Sequence, residues 1–206
     1  TQVNVQAETT FASGLRALLR HSPDIIFIGE IRDEETAGIS VNAALTGHLL
    51  ISTIHTNNAP SAIIRLMDLG MPPFLISATL NTVIAQRLAR KICNSCVHST
   101  KLTKEIIGTF KEYTKNINVK LALPSIIYQG RGCGACGFSG YRGQIGIFEV
   151  FNVTDTIKDL IMKQSSSDEI KKVAIKEGMT TMFEDGMTKV ESGTTTVEEV
   201  LRVIKE

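Results

Sequence analysis

The sequence predicts an α/β core, followed by a cysteine-bearing segment and a helical C-terminal region. Three observations carry that expectation. Apolar runs of strand length alternate with segments of helical period over residues 1–92, two Cys-x-x-Cys pairs occupy an aperiodic stretch over 93–140, and 141–206 opens on one strand and then reads as helix. These three segments are the expected domains.

The elements follow in chain order. Phe11, Leu15, Leu18 and Leu19 fall at helical spacing behind the cap candidates Thr9 and Thr10, and Pro23 closes that helix. Ile25 to Ile28 is a continuous apolar run, as expected of a parallel strand buried on both faces. Asp33, Glu34 and Glu35 sit where acids favour a helix start, and the helix through Leu45 ends before Gly47. Leu49 to Ile54 predicts a second buried strand, Pro60 to Leu69 a helix, and the break at Met71, Pro72 and Pro73 the start of another. Val83 to Ile92 alternates well enough for a strand, with a helix as the competing reading. One short helix is expected over Lys104 to Lys115 and a strand over Ile145 to Phe151. Helices then centre on Ile157 and Ile161, on Ile170 and Ala174, on Phe183 and Met187, and on Val200 and Ile204, the last opened by a Thr196-x-x-Glu199 capping box. The methionines on these helices read as core.

Composition excludes several classes. With 43% hydrophobic and 21% charged residues, and 16 Gly against 5 Pro, the chain is neither disordered nor fibrous. The net charge of +1 argues against a chain built as a whole to coat a polyanion. No apolar stretch has the length of a transmembrane helix, and no signal-peptide pattern opens the chain, so the expected compartment is the cytosol. Because residue 1 is Thr1 and the first residues read as the middle of an element, the sequence is expected to be part of a longer protein.

Cys93, Cys96, Cys133 and Cys136 form two Cys-x-x-Cys pairs separated by 36 residues. Two thiolates three positions apart on a tight turn reach one ion, and two such turns complete the four-thiolate shell that structural zinc prefers. Gly132, Gly134 and Gly137 supply permissive backbone for those turns. Disulfides, a redox pair or free thiols are the competing readings, and zinc is the one expected in a chain of this kind.

Glu30 follows the apolar strand at its C-terminal end, the edge at which open α/β sheets bind ligands. A carboxylate there can hold a magnesium-bound water or orient an attacking water, or it can simply cap or pair. Arg32 beside it reads equally as an ion-pair partner. His48 and His55 bracket the second strand, with Thr53 and Thr56 beside His55. A histidine at that edge donates to phosphate, manages a proton, or is structural. Between residues 87 and 120 eight cations face two acids, which suits a solvated lysine-rich face or an anionic surface. No aromatic interleaving or nucleic-acid motif accompanies them, so no nucleic-acid partner is expected. The 206 residues contain no GxxxxGK[ST] phosphate cradle.

Taken together, TFASGLRALLRHSPDIIFIGEIRDEETAGISVNAALTGHLLISTIHTNNAPSAIIRL, QRLARKICNSC and GCGACGFSGYRGQIGIFEVF strongly resemble the C-terminal half of the secretion ATPases of type II secretion and type IV pilus assembly. The resemblance covers essentially the whole chain. It implies a partial RecA-like P-loop NTPase core, with Glu30 as the glutamate of the Walker B segment and His48 and His55 as the His box. Cys93, Cys96, Cys133 and Cys136 match the tetracysteine zinc element, which marks the assembly-type branch.

The resemblance further implies a homohexamer at the cytoplasmic face of the inner membrane, driven by ATP and Mg2+ in the full-length parent. Its partners would be the membrane platform and cytoplasmic-anchor proteins of the machine. Glu30 would polarise the attacking water, His55 would contact the γ-phosphate region, and Arg32, His48 and Thr53 would line the nucleotide site. Arg87 and Arg90 would approach nucleotide or a neighbouring subunit, unless they are plain surface charges. Since the family's phosphate loop lies upstream of Thr1, the 206 residues alone are expected to be inactive and to bind nucleotide weakly. The alternative from another class is a zinc-stabilised interaction module that hydrolyses nothing, and an upstream GxxxxGK[ST] separates the two.

Overall fold

The computed structural model describes residues 11–21, 23–114 and 124–205. The cap candidates Thr9 and Thr10, and Lys115 and Lys120 of the basic stretch, lie outside the described residues. Contacts divide the chain into two units that are each discontinuous in sequence, whereas the three-part reading above is contiguous. One unit joins residues 1–83 to 151–179, and the other joins 84–150 to 180–206.

In the first unit the strand–helix alternation forms as expected. Helix α1 (Phe11–Leu19) precedes β1 (Ile25–Ile28), α2 (Glu34–Leu45), β2 (Leu49–Ser52), α3 (Ala59–Asp68) and α4 (Pro73–Thr79). Strands β1 and β2 pair in parallel, with Ile25 opposite Leu49 and Phe27 opposite Ile51. Asp33 caps α2, its Oδ1 accepting the Thr36 N–H at 2.8 Å, and Glu34 and Glu35 in the first turn complement the helix dipole. Asn58 caps α3 in the same way through the Ser61 N–H at 2.9 Å. Helices α6 (Asp155–Met162) and α7 (Ser167–Lys176) complete this unit, α6 packing on α4 and α7 on α3.

One expectation fails here. Strand β1 is buried on one face only, with Ile26 and Ile28 5% and 2% exposed but Ile25 and Phe27 59% and 69% exposed, and β2 has no fully buried residue, Leu49 and Ile51 being 53% and 50% exposed. A continuous apolar run identifies a strand without saying which of its faces a second layer covers.

The second unit contains most of β3 (Thr82–Ile92) and β6 (Tyr141–Asn152), which hydrogen-bond to each other, so the strand reading of Val83 to Ile92 is the correct one. Between them lie β4 (Val97–Lys101), α5 (Lys104–Thr114) and β5 (Ile126–Gly130), with β4 and β5 antiparallel and Val97 opposite Gly130. Helices α8 (Met182–Glu191) and α9 (Val197–Lys205) bury Phe183, Met187, Val190, Val200 and Leu201 against Ile106, Phe110 and Ile127. The C-terminal helices therefore form as expected, yet they are shared between the two units rather than gathered into one helical domain.

Of the Thr196-x-x-Glu199 box only half forms. The Glu199 N–H donates to Thr196 Oγ1 at 3.3 Å, while the Glu199 carboxylate is engaged by Arg90 and Arg202.

Candidate functional site

Strand β1 ends at Ile28, but the ladder continues past it. The Ile31 N–H donates to Thr53 O at 2.9 Å, and Thr53 Oγ1 donates to Gly29 O at 2.5 Å. Thr53 thus zips together the chain segments that leave β1 and β2, and Glu30 and His55 emerge side by side at the C-terminal edge of the parallel pair. His55 Nε2 lies 2.7 Å from Glu30 Oε1, and Arg32 Nη2 lies 2.5 Å from Glu30 Oε2. Oε1 has no donor aligned for a hydrogen bond among the described residues, so its contact with His55 is a close approach rather than a hydrogen bond.

The Glu30 side chain is 18% exposed, against 75% for Arg32 and 87% for His55, so a half-sheltered carboxylate sits beneath two groups open to solvent. The hydrogen bond from Arg32 holds the Glu30 carboxyl below its ordinary range; desolvation opposes this, and the charges of Arg32 and His55 reinforce it. Glu30 is therefore ionised at neutral pH, in the state that accepts a hydrogen bond from water.

The other candidates from this part of the chain do not join that cluster in the contacts the structure makes. His48 Nδ1 lies 3.1 Å from Ala43 O and 3.0 Å from Thr46 Oγ1, an arrangement that satisfies the C-terminal end of α2. In the second unit, Arg90 is committed to Glu199. Its Nη2 lies 2.5 Å from Glu199 Oε1, its N–H donates to Glu199 Oε2 at 3.0 Å, and its guanidinium stands 4.4 Å from the Tyr141 ring centroid. Sequence reasoning missed this role because the partners are 109 residues apart. Arg87 stands half-buried on β3.

The four cysteines do converge. Their Sγ atoms all lie within 4.8 Å of one another, and no disulfide joins them. Individual separations are 3.9 Å for Cys93 to Cys133, 4.0 Å for Cys96 to Cys136 and 3.8 Å for Cys133 to Cys136. A tetrahedral ion with metal–sulfur bonds of about 2.3 Å requires sulfurs about 3.8 Å apart, whereas a disulfide requires about 2.05 Å. The donor set and spacing fit one metal ion.

Backbone builds the two knuckles. The Cys96 N–H donates to Cys93 O and the Cys136 N–H to Cys133 O, both at 3.1 Å, and the Cys93 N–H donates to Gly140 O at 2.9 Å to bring the knuckles together. The N–H groups of Cys133 and Gly140 donate to Cys136 Sγ at 3.2 and 3.3 Å. Led by the Cys133 donor, they bring the Cys136 thiol down to about 6, while burial pushes Cys96 up to about 11. Gly132 is required: its φ is +86°, and a Cβ there would sit 2.6 Å from Phe138 O.

A sequence profile of the "Type II/IV secretion system protein" family matches residues 1–202. The chain is 46% identical over 206 residues to "Type II secretion system ATPase E" of Vibrio cholerae, covering all of this chain and 39% of that protein. It is 47% identical over 201 residues to "Type IV pilus assembly ATPase PilB" of Thermus thermophilus, covering 98% of this chain and 22% of that protein. The structure matches that of the pilus retraction motor PilT with bound ADP at a TM-score of 0.62 and 26% identity, over 94% of this chain and 43% of that one. The chain spans about two fifths of the first relative's length and less of the second's. With an α/β fold, an acid–histidine pair at the parallel-strand edge and a four-cysteine cluster, the chain belongs to the type II/IV secretion system protein family.

Proposed function

We propose that this chain is the C-terminal part of a hexameric ATPase, RecA-like in its core, that couples ATP hydrolysis to type IV pilus assembly or type II protein secretion. One observation carries the mechanism: the contact of 2.7 Å between Glu30 Oε1 and His55 Nε2 at the edge of β1 and β2. Phosphoryl transfer asks a protein chiefly for positioning and charge stabilisation. Glu30, kept ionised by Arg32, accepts a hydrogen bond from the attacking water and orients it. His55, open to solvent beside it, donates toward the phosphate region. Thr53 is a positioning residue that holds the two strand ends in register.

Magnesium in the full-length parent would neutralise charge between phosphate oxygens, and a sheltered carboxylate such as Glu30 suits one of its bound waters. The contacts of His48 and Arg90 favour packing roles for both, and Arg87 is assigned to nucleotide or a neighbouring subunit in the assembled parent. The four cysteines hold a structural zinc ion. The full-length protein acts at the cytoplasmic face of the inner membrane with platform and cytoplasmic-anchor proteins as partners; no helix among the described residues is long and apolar enough to cross a membrane.

The test is ATP hydrolysis by the full-length protein beside the 206-residue chain. Turnover by the first and none by the second is expected. Absence of turnover in the full-length protein assembled with its machine would refute the proposal, and turnover by the 206 residues alone would remove the claim that they are inactive.

A further inference from the structure

Phe138 departs from the rest of the cysteine module in two ways. Its φ of 61° puts a bulky aromatic residue in the left-handed region, where Cβ crowds the neighbouring carbonyl and where glycine or asparagine normally serves. Its side chain is also 79% exposed, so the fold gains almost no burial in return. The position is nevertheless tightly held. The Phe138 N–H donates to Cys133 O at 2.9 Å, and the Phe138 carbonyl lies against Gly132. The ring therefore stands on backbone fixed by the second cysteine knuckle.

The Lys, Arg, Asp and Glu residues flanking it in sequence are all basic. Residues 90–101 and 124–148 contain Arg90, Lys91, Lys101, Arg131 and Arg142 and no aspartate or glutamate. Arg90 is taken by Glu199, but Arg131 and Arg142 are exposed on either side of the knuckle, and Arg131 directly precedes the Gly132 that touches Phe138.

We propose that Phe138, Arg131 and Arg142 form a docking tip for an acidic segment of a protein partner, with the ring entering an apolar pocket and the guanidinium groups meeting carboxylates. Aromatic and arginine side chains are enriched among the anchors of protein interfaces, and backbone strain kept at an exposed aromatic that contributes no burial points to a role other than folding. A bilayer is the poorer fit. Interfacial binding scales with buried apolar area, and one ring offers little of it, whereas one ring fills a protein pocket. The proposal is independent of the chemistry assigned to Glu30.

The metal-loaded 206-residue chain is used to select peptides from a random-peptide phage library. The consensus peptide is then synthesised with a fluorophore and titrated by anisotropy against the parent chain, Phe138→Gly, Phe138→Asn and Arg131→Glu/Arg142→Glu. The expected consensus is a large apolar residue flanked by Asp or Glu. Its affinity should fall by about tenfold or more in each variant, as for a hot-spot residue. Metal content should be unchanged, and Phe138→Gly should melt at or above the parent temperature because glycine relieves the backbone conformation. A packing role would instead lower the melting temperature of both Phe138 variants, and that result overturns the proposal. So does a selection without an acidic consensus, peptide binding indifferent to Phe138, or Phe138-dependent binding confined to phosphatidylglycerol vesicles.

Discussion

Glu199→Gln tests the packing of the second unit most sharply. Glu199 is 3% exposed on its side chain and accepts from Arg90 Nη2 at 2.5 Å, from the Arg90 N–H at 3.0 Å, and from Arg202 Nε and Nη2 at 3.0 Å. Burial works against its charge, but these hydrogen bonds prevail and bring the carboxyl from 4.5 down to about 2. At about 1.4 kcal/mol per pH unit, that difference corresponds to about 3 kcal/mol of folded-state stabilisation. Arg90 and Arg202 are 47% and 42% exposed, so in the variant water takes over part of their solvation and the net loss is about 2–3 kcal/mol.

The pH dependence has a definite sign. A carboxyl depressed in the folded state contributes fully above its unfolded value and loses that contribution as pH falls toward 2. Thermal denaturation followed by circular dichroism should show the variant melting about 5–10 °C lower at neutral pH, with the gap narrowing as pH falls below about 4.5. A gap under about 1 °C, or one that stays constant on acidification, would refute the reasoning.

Three further outcomes are expected. Cys133→Ser should lose the bound metal in elemental analysis and destabilise the region over 93–140, since a structural ion supplies folding energy directly; unchanged metal content and an unchanged melt would remove the ion from the account. Gly132→Ala should cost about 1–3 kcal/mol by urea denaturation, because it places a Cβ 2.6 Å from Phe138 O at a φ of +86°, and a neutral result would show that this turn relaxes freely. Met187→Ala, at a side chain 0% exposed in the α8–α9 core, should cost about 2–5 kcal/mol, and a loss under about 1 kcal/mol would place Met187 outside the core.

Local pattern carried much of the fold. β1 lies where its apolar run predicts, and α2 starts at Glu34 behind its cap Asp33, with Glu34 and Glu35 in its first turn. The four cysteines converge because their spacing encodes two turns that each present two thiols. What sequence leaves open is set by distant partners. The β4–β5 pair was missed because Val97–Lys101 shows little apolar alternation, and its partner strand lies beyond an intervening helix. Arg90 reads as a surface or ligand-binding cation until Glu199, from the far end of the chain, appears beside it. His48 reads as a site residue for a different reason: its partners Ala43 and Thr46 are local, but the sequence does not show that the α2 C-terminus turns back to claim its ring. The proximity of Glu30 and His55 depends on a parallel register that no local pattern specifies, and the left-handed backbone of Phe138 follows from a turn that only the folded knuckle creates.

The central claim is that Glu30 orients the attacking water beside His55. Its most direct test is steady-state ATP hydrolysis and nucleotide binding by the full-length protein carrying Glu30→Gln. Removing the charge while keeping the shape should lower turnover by about 10²–10⁴-fold with ATP affinity retained. Turnover within about twofold of the parent would contradict the account and leave the Glu30–His55 contact a structural pairing of two strand ends.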